Sequence, residues 1–126
     1  ADFRTVIQKG KADVIDGKIT ELEYELAAAR SQLGPEALEV ANVQHNIAVL
    51  LKAKKDHEGA QARFEEALHI RRKVLGQRHP RVGDTLYNLG VLYKGMRKWN
   101  AAYAFYCSAY EVYRDYYGGA DDETIE

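Results

Sequence analysis

The sequence predicts an all-α fold built from paired helices, and three observations predict it. A stretch of the chain recurs after 42 residues, small and large residues keep fixed places within each copy, and no segment sustains the period-two alternation of a half-buried strand. From Leu33, LGPEALEVANVQHNIAVLLKAKKDHEGAQARFEEALHIRRKV is followed from Leu75 by LGQRHPRVGDTLYNLGVLYKGMRKWNAAYAFYCSAYEVYRDY. The overlay pairs Leu33 with Leu75, Gly34 with Gly76, Val40 with Val82, Asn46 with Asn88, Ala60 with Ala102 and Phe64 with Tyr106.

Each copy reads as two helices. In the second, Pro80 suits a first helical turn, where its missing N–H costs nothing. Val82, Leu86, Leu89, Val91, Leu92 and Tyr93 follow at helical spacing, so helix A runs from Pro80 to about Gly95. The chain turns over Gly95-Met96-Arg97-Lys98. Helix B begins near Asn100 and stops near Gly118-Gly119, a C-terminal cap signal. The first copy divides likewise, from Pro35 to about Lys54 and from Asp56 to Val74, with Asp56 as N-cap. Within a unit, Ala48 or Gly90 faces Ala60 or Ala102, and Leu51 or Tyr93 with Phe64 or Tyr106 fills the space beside them.

Composition sets mild bounds. At 126 residues, 46% hydrophobic and 29% charged, the chain has the make-up of one ordinary soluble domain. A formal net charge of −1 gives no support to a nucleic-acid or membrane-surface role. The charge is uneven, with twelve Lys or Arg against five acids between Lys52 and Lys98, and six acids against Arg114 alone from Glu111 on. Such asymmetry either steers partners or marks solvated helix faces. A lone cysteine, Cys107, cannot form an internal disulfide and reads as a small core residue in a reducing compartment. With no apolar run of membrane-spanning length and no signal-peptide pattern in Ala1–Gly10, the expectation is a cytoplasmic protein.

Gly90, Tyr93, Ala102, Tyr106 and Ala109 match the small and large positions of the tetratricopeptide repeat. The 42-residue period, TLYNLGVLY and ALHIRRKVLGQRHPRV resemble the repeats of kinesin light chains and the wider group that shares this subtype. The resemblance covers about Leu33 to Tyr117 and implies a short right-handed α-solenoid of helix-turn-helix repeats. It divides the chain into a degenerate repeat at 1–32, repeats at 33–74 and 75–116, and the start of a further one at 117–126. In the degenerate unit, Ile19–Gln32 stands as a B helix and Phe3–Ala12 as the matching A helix, with Glu25 at the small-residue position and Lys9 and Gly10 on the apolar face. Starting and ending inside repeats reads as a piece of a longer protein.

The resemblance further implies a concave groove lined by the A helices. Its positions fall on Asn42, His45, Asn46, Val49 and Lys52, then on Asp84, Tyr87, Asn88, Val91 and Lys94. An amide offers both a donor and an acceptor, so Asn46 and Asn88 suit the backbone of an extended peptide; a structural hydrogen bond within the A-helix layer is the other reading. Lys52 and Lys94 either meet acidic side chains of a ligand or form a solvated face, and Asp84 opposes a simple anion clamp.

Eight of the nine tyrosines lie after Leu86, and the second B helix carries too many for one apolar stripe. Tyr103, Tyr110 and Tyr113 either cover a following repeat or form a secondary interface, and self-association through exposed repeat ends follows from the second reading. Catalytic and metal motifs are lacking: no phosphate-cradling glycine loop, no His-Glu-x-x-His, no paired cysteines, and four histidines scattered over groove, loop, helix and turn. The expectation is a protein-binding module without cofactor or metal. As an adaptor it takes an acidic linear segment in its groove and, by resemblance, links cargo to a kinesin motor. As a scaffold subunit it stacks through convex or end surfaces in a cytoskeletal or ciliary assembly.

Overall fold

A computed structural model describes residues 2–118 of the chain. It contains α1 (Phe3–Leu33), α2 (Leu38–Ala53), α3 (His57–Leu75), α4 (Pro80–Gly95) and α5 (Trp99–Tyr113), with one π-helical turn at Arg114–Gly118. No strand occurs among the described residues. Of the expected stop at Gly118-Gly119, Gly118 ends the π-helical turn and Gly119 lies outside the described residues, as does most of the start of a further repeat.

The backbone repeats as faithfully as the sequence. Two glycines at equivalent places, Gly34 (φ 96°) and Gly76 (φ 90°), follow α1 and α3 in a conformation that a side chain resists, and each N–H closes on a carbonyl of the last turn. Two non-glycine residues at equivalent places, Lys55 (φ 67°) and Arg97 (φ 60°), sit in the left-handed region and turn each A helix into its B helix. Asp56 caps α3 as expected, its Oδ1 accepting from the Gly59 N–H at 3.0 Å. Pro80 opens α4, where the N-cap His79 accepts from the Arg81 N–H through Nδ1 at 3.1 Å.

Two boundaries depart from expectation. Pro35 lies in the turn, and α2 begins at Leu38. Leu38 is the residue in register with Pro80, so the period decides the helix start and Pro35 is part of the connection. The larger departure is at the N-terminus. The two helices expected at Phe3–Ala12 and Ile19–Gln32 are one continuous helix of 31 residues. In the register of Lys54-Lys55-Asp56 this chain has Ala12-Asp13-Val14, without a left-handed residue to break the helix.

α2 packs with α3, α4 packs with α5, and α3 joins the two pairs. One apolar cluster joins Leu22 and Leu26 of α1 to Val40, Ile47, Ala67 and Ile70. The other joins Ala48, Ala60 and Phe64 to Val82, Leu86, Leu89 and Ala109. Phe64 is fully buried, and truncating such a side chain costs about 3–5 kcal/mol. In the second pair a Cβ on Gly90 would stand 2.8 Å from the Tyr106 ring. The small-against-large contact is therefore tighter there than in the first pair, which has Ala48 and Phe64 at those places. Cys107 is half-buried, not a core residue. A polar seam ties the first three helices, with Gln44 accepting from Arg63 at 2.9 Å, Arg63 paired with Glu23 at 2.6 Å, and Arg30 paired with Glu66 at 2.8 Å.

Candidate functional site

Successive A helices turn equivalent residues toward one groove. Asn42, His45 and Asn46 of α2 stand on one side, and their register partners Asp84, Tyr87 and Asn88 of α4 on the other. The cavity between them has a volume of about 530 Å³ and is also lined by Arg71 and Arg81. Val49 and Lys52 on α2, and Val91 and Lys94 on α4, lie further along the same helices and do not line it.

Arg71 is the feature that the sequence reading missed. It comes from a B helix, seven residues after Phe64 and four after Ala67, so it occupies the core stripe of α3. A charge at an apolar register position was the available signal. The side chain is only 4% exposed. Its Nη1 donates to Thr85 Oγ1 at 2.7 Å and its Nη2 to Asn42 Oδ1 at 3.1 Å, while His45 Nδ1 lies 3.4 Å from Nη1. Its Nε is buried with no hydrogen-bond partner. Among the described residues no carboxylate pairs with Arg71 or Arg81.

Among the lining residues two arginines, Arg71 and Arg81, stand against one carboxylate, Asp84. Burial holds the Arg71 guanidinium below its ordinary pKa, with Arg81 adding to the depression and Asp84 opposing it. Burial likewise depresses the His45 imidazole, reinforced by Arg71 and Arg81 and opposed by Asp84. His45 also packs edge-on against Phe64, ring centroids 5.4 Å apart, so the neutral ring covers the core. Asp84 does not reach Arg71. Its Oδ1 accepts instead from the Tyr113 hydroxyl.

The two asparagines differ. Asn46 is exposed, whereas Asn88 is half-buried and donates to the Asp84 carbonyl at 2.8 Å, one turn back in its own helix. Tyr87 is 52% exposed and leans on Tyr106 at 5.5 Å between centroids. Of the three tyrosines grouped as a secondary interface, Tyr103 and Tyr110 are exposed. Tyr113 departs from that grouping. It is half-buried over Gly83, whose missing Cβ leaves room for its ring.

Among the described residues no helix is long and apolar enough to cross a membrane, and no group of three or more His, Cys, Asp or Glu is placed to hold a metal ion. The tetratricopeptide repeat family matches residues 39–115, more than half of the sequence, and the chain belongs to that family. Tetratricopeptide repeats generally mediate protein-protein interaction. The chain is similar in fold to the crystal structure of BtubC (BKLC) from P. vanneervenii, with a TM-score of 0.77 and 24% identity over 82% of this chain and 41% of that one. The chain thus spans less than half the length of that protein. No curated protein matches it.

Proposed function

We propose that the groove between α2 and α4 is a non-catalytic binding site for an extended, acidic segment of a partner protein. Arg71 carries this reading. A buried guanidinium without a carboxylate is costly, and a carboxylate brought by a ligand would supply the missing partner and a charge-assisted hydrogen bond. Arg81 at the rim adds attraction, and the exposed Asn46 amide offers a donor and an acceptor to the ligand backbone. The resemblance of TLYNLGVLY and ALHIRRKVLGQRHPRV to kinesin light chain repeats supports a cytoplasmic adaptor linking cargo to a motor.

The test is fluorescence polarisation with an acidic-aromatic peptide library at several salt concentrations. Hits should weaken with salt, should weaken at least tenfold on Arg71→Met, and should be lost on joint Asn46→Ala and Asn88→Ala substitution. Affinity that ignores all three substitutions would sink the groove reading.

A second reading has its own observation. Trp99, Tyr103 and Tyr110 are 61%, 71% and 65% exposed on α5, and aromatic residues on an open face suit a scaffold contact. Under this reading Tyr103→Ser with Tyr110→Ser disrupts assembly in a cytoskeletal or ciliary complex while Asn46→Ala does little. Intact assembly after the tyrosine changes would count against it.

A further inference from the structure

We propose that the outer face of α1 is the seam of an antiparallel dimer between two copies of this chain. The seam is independent of the groove. Residues 3, 7, 10, 14, 17, 21, 24 and 28 share one stripe of the helix at the 3.5-residue spacing of a two-helix contact. All eight are exposed, although they include Phe3 (78%), Ile7, Val14 (72%) and Tyr24 (76%). A shallow trough lies along the first half, lined by Ile7, Gly10, Lys11, Val14 and Ile15.

The repeat register identifies what this face lacks. The same stripe on α3 contains Arg63, Glu66 and Ile70. There Arg63 and Glu66 bond to Gln44, Glu23 and Arg30 on α1 and α2, and Ile70 is buried in the cluster that α1 and α2 share with α3. An antiparallel neighbour in the hairpin, α2, thus covers on α3 what is bare on α1. With the break at Ala12-Asp13-Val14 absent, residues 3–14 cannot fold back to cover their own helix.

A second α1 running antiparallel fits in shape and in charge. Setting Ile7 opposite Tyr24 places Phe3 against Ala28, Gly10 against Glu21 and Val14 against Gly17, so the Ile7–Tyr24 contact is flanked on both sides by a large side chain against a small residue. A Cβ built on Gly10 or Gly17 meets nothing within 4 Å, so both leave room for an incoming side chain. Residues 3–12 carry Arg4, Lys9 and Lys11 and no acid, whereas residues 19–26 carry Glu21, Glu23 and Glu25 and no Lys or Arg. The antiparallel alignment brings residues 3–12 of each helix against residues 19–28 of the other, cations against carboxylates; a parallel one would oppose like charges in both segments. That complementarity selects a second copy of this chain as the occupant.

The experiment measures mass by light scattering and sedimentation on the 126-residue chain. The expected result is a reversible dimer in the micromolar range, weakened at least tenfold by Ile7→Glu with Val14→Glu at unchanged helical circular dichroism. Orientation is read from cysteines placed in a Cys107→Ser background. Positions 7 and 24 are about 26 Å apart along one helix, beyond the reach of a disulfide. Ile7→Cys with Tyr24→Cys should therefore cross-link two chains on oxidation, and either substitution alone should not. A chain that stays monomeric at hundred-micromolar concentration overturns the proposal. So does a dimer indifferent to the glutamates, or one that cross-links through Ile7→Cys alone.

Discussion

The Tyr113 hydroxyl donates to Asp84 Oδ1, and one repeat earlier Arg71 donates to Asn42 Oδ1 at 3.1 Å. Arg71 and Tyr113 are in register, as are Asn42 and Asp84. Each B helix thus reaches back to the first turns of its own A helix through the same pair of positions. The chemistry is split between the units: the cation has a neutral partner in the first and the anion has a neutral partner in the second. Charges that would have cancelled within one brace both face the groove, and neither is neutralised.

Arg71→Met should separate binding from stability. The substitution removes the hydrogen bonds to Thr85 and Asn42 but also a desolvated charge, so folding free energy should move by no more than about 1–2 kcal/mol. Affinity for an acidic peptide should fall tenfold or more. Chemical denaturation and a peptide titration on the same preparation read both quantities.

Asp84→Asn should have the opposite effect on the ligand. It leaves the second brace with two neutral partners and removes the only carboxylate among the cavity-lining residues. Acidic peptides should bind several-fold tighter, with a steeper salt dependence. Weaker binding would show that Asp84 contacts the ligand directly.

Burial, then the bond to Asp84, holds the Tyr113 phenol above its ordinary pKa of 10.0. A pKa raised in the folded state stabilises fully below the unfolded value and is lost as pH climbs past it. Stability should therefore fall above about pH 10, and Tyr113→Phe should flatten that fall. At neutral pH the same variant should lose about 1 kcal/mol for the missing hydrogen bond.

His45 should produce the mirror effect in acid. Its pKa is depressed from 6.5 by burial, then by Arg71 and Arg81, so its contribution is present above that value and lost as pH falls below it. Thermal stability of the parent should drop as pH falls below about 6.5, and the drop should be smaller in His45→Gln. Equal drops would remove His45 as the source.

Gly90→Ala tests how far the second hairpin is closed. The new Cβ meets Tyr106 Cδ1 at 2.8 Å, and overpacking of this kind costs about 1–3 kcal/mol, against about 1 kcal/mol gained in helix propensity. A net loss in urea denaturation is expected. Gly95→Ala, whose Cβ meets nothing within 4 Å, is the control and should gain slightly.

Much of the fold could be read from the sequence because a repeat doubles every signal. Asp56 as cap, Pro80 as helix start and the turn at Arg97-Lys98 each rest on local backbone chemistry. Pro35 misled for the same reason: a proline marks a favourable first turn wherever it stands, and only the register with Pro80 excludes it. Six of the eight cavity-lining residues stand at A-helix positions that the family resemblance names. The other two, Arg71 and Arg81, were not singled out, because residue type alone does not separate a buried cation from the basic surface around it.

What the sequence by itself determined is the period, the helix pairs and the small-against-large places, since these follow from residue spacing and steric size within a few turns. Tertiary structure alone decided which charges lack partners. Asp84 accepts from Tyr113 and does not pair with Arg71, and no local pattern records a contact between residues 29 positions apart. The same holds for α1, where the absence of one left-handed residue joins two expected helices and leaves an apolar stripe exposed.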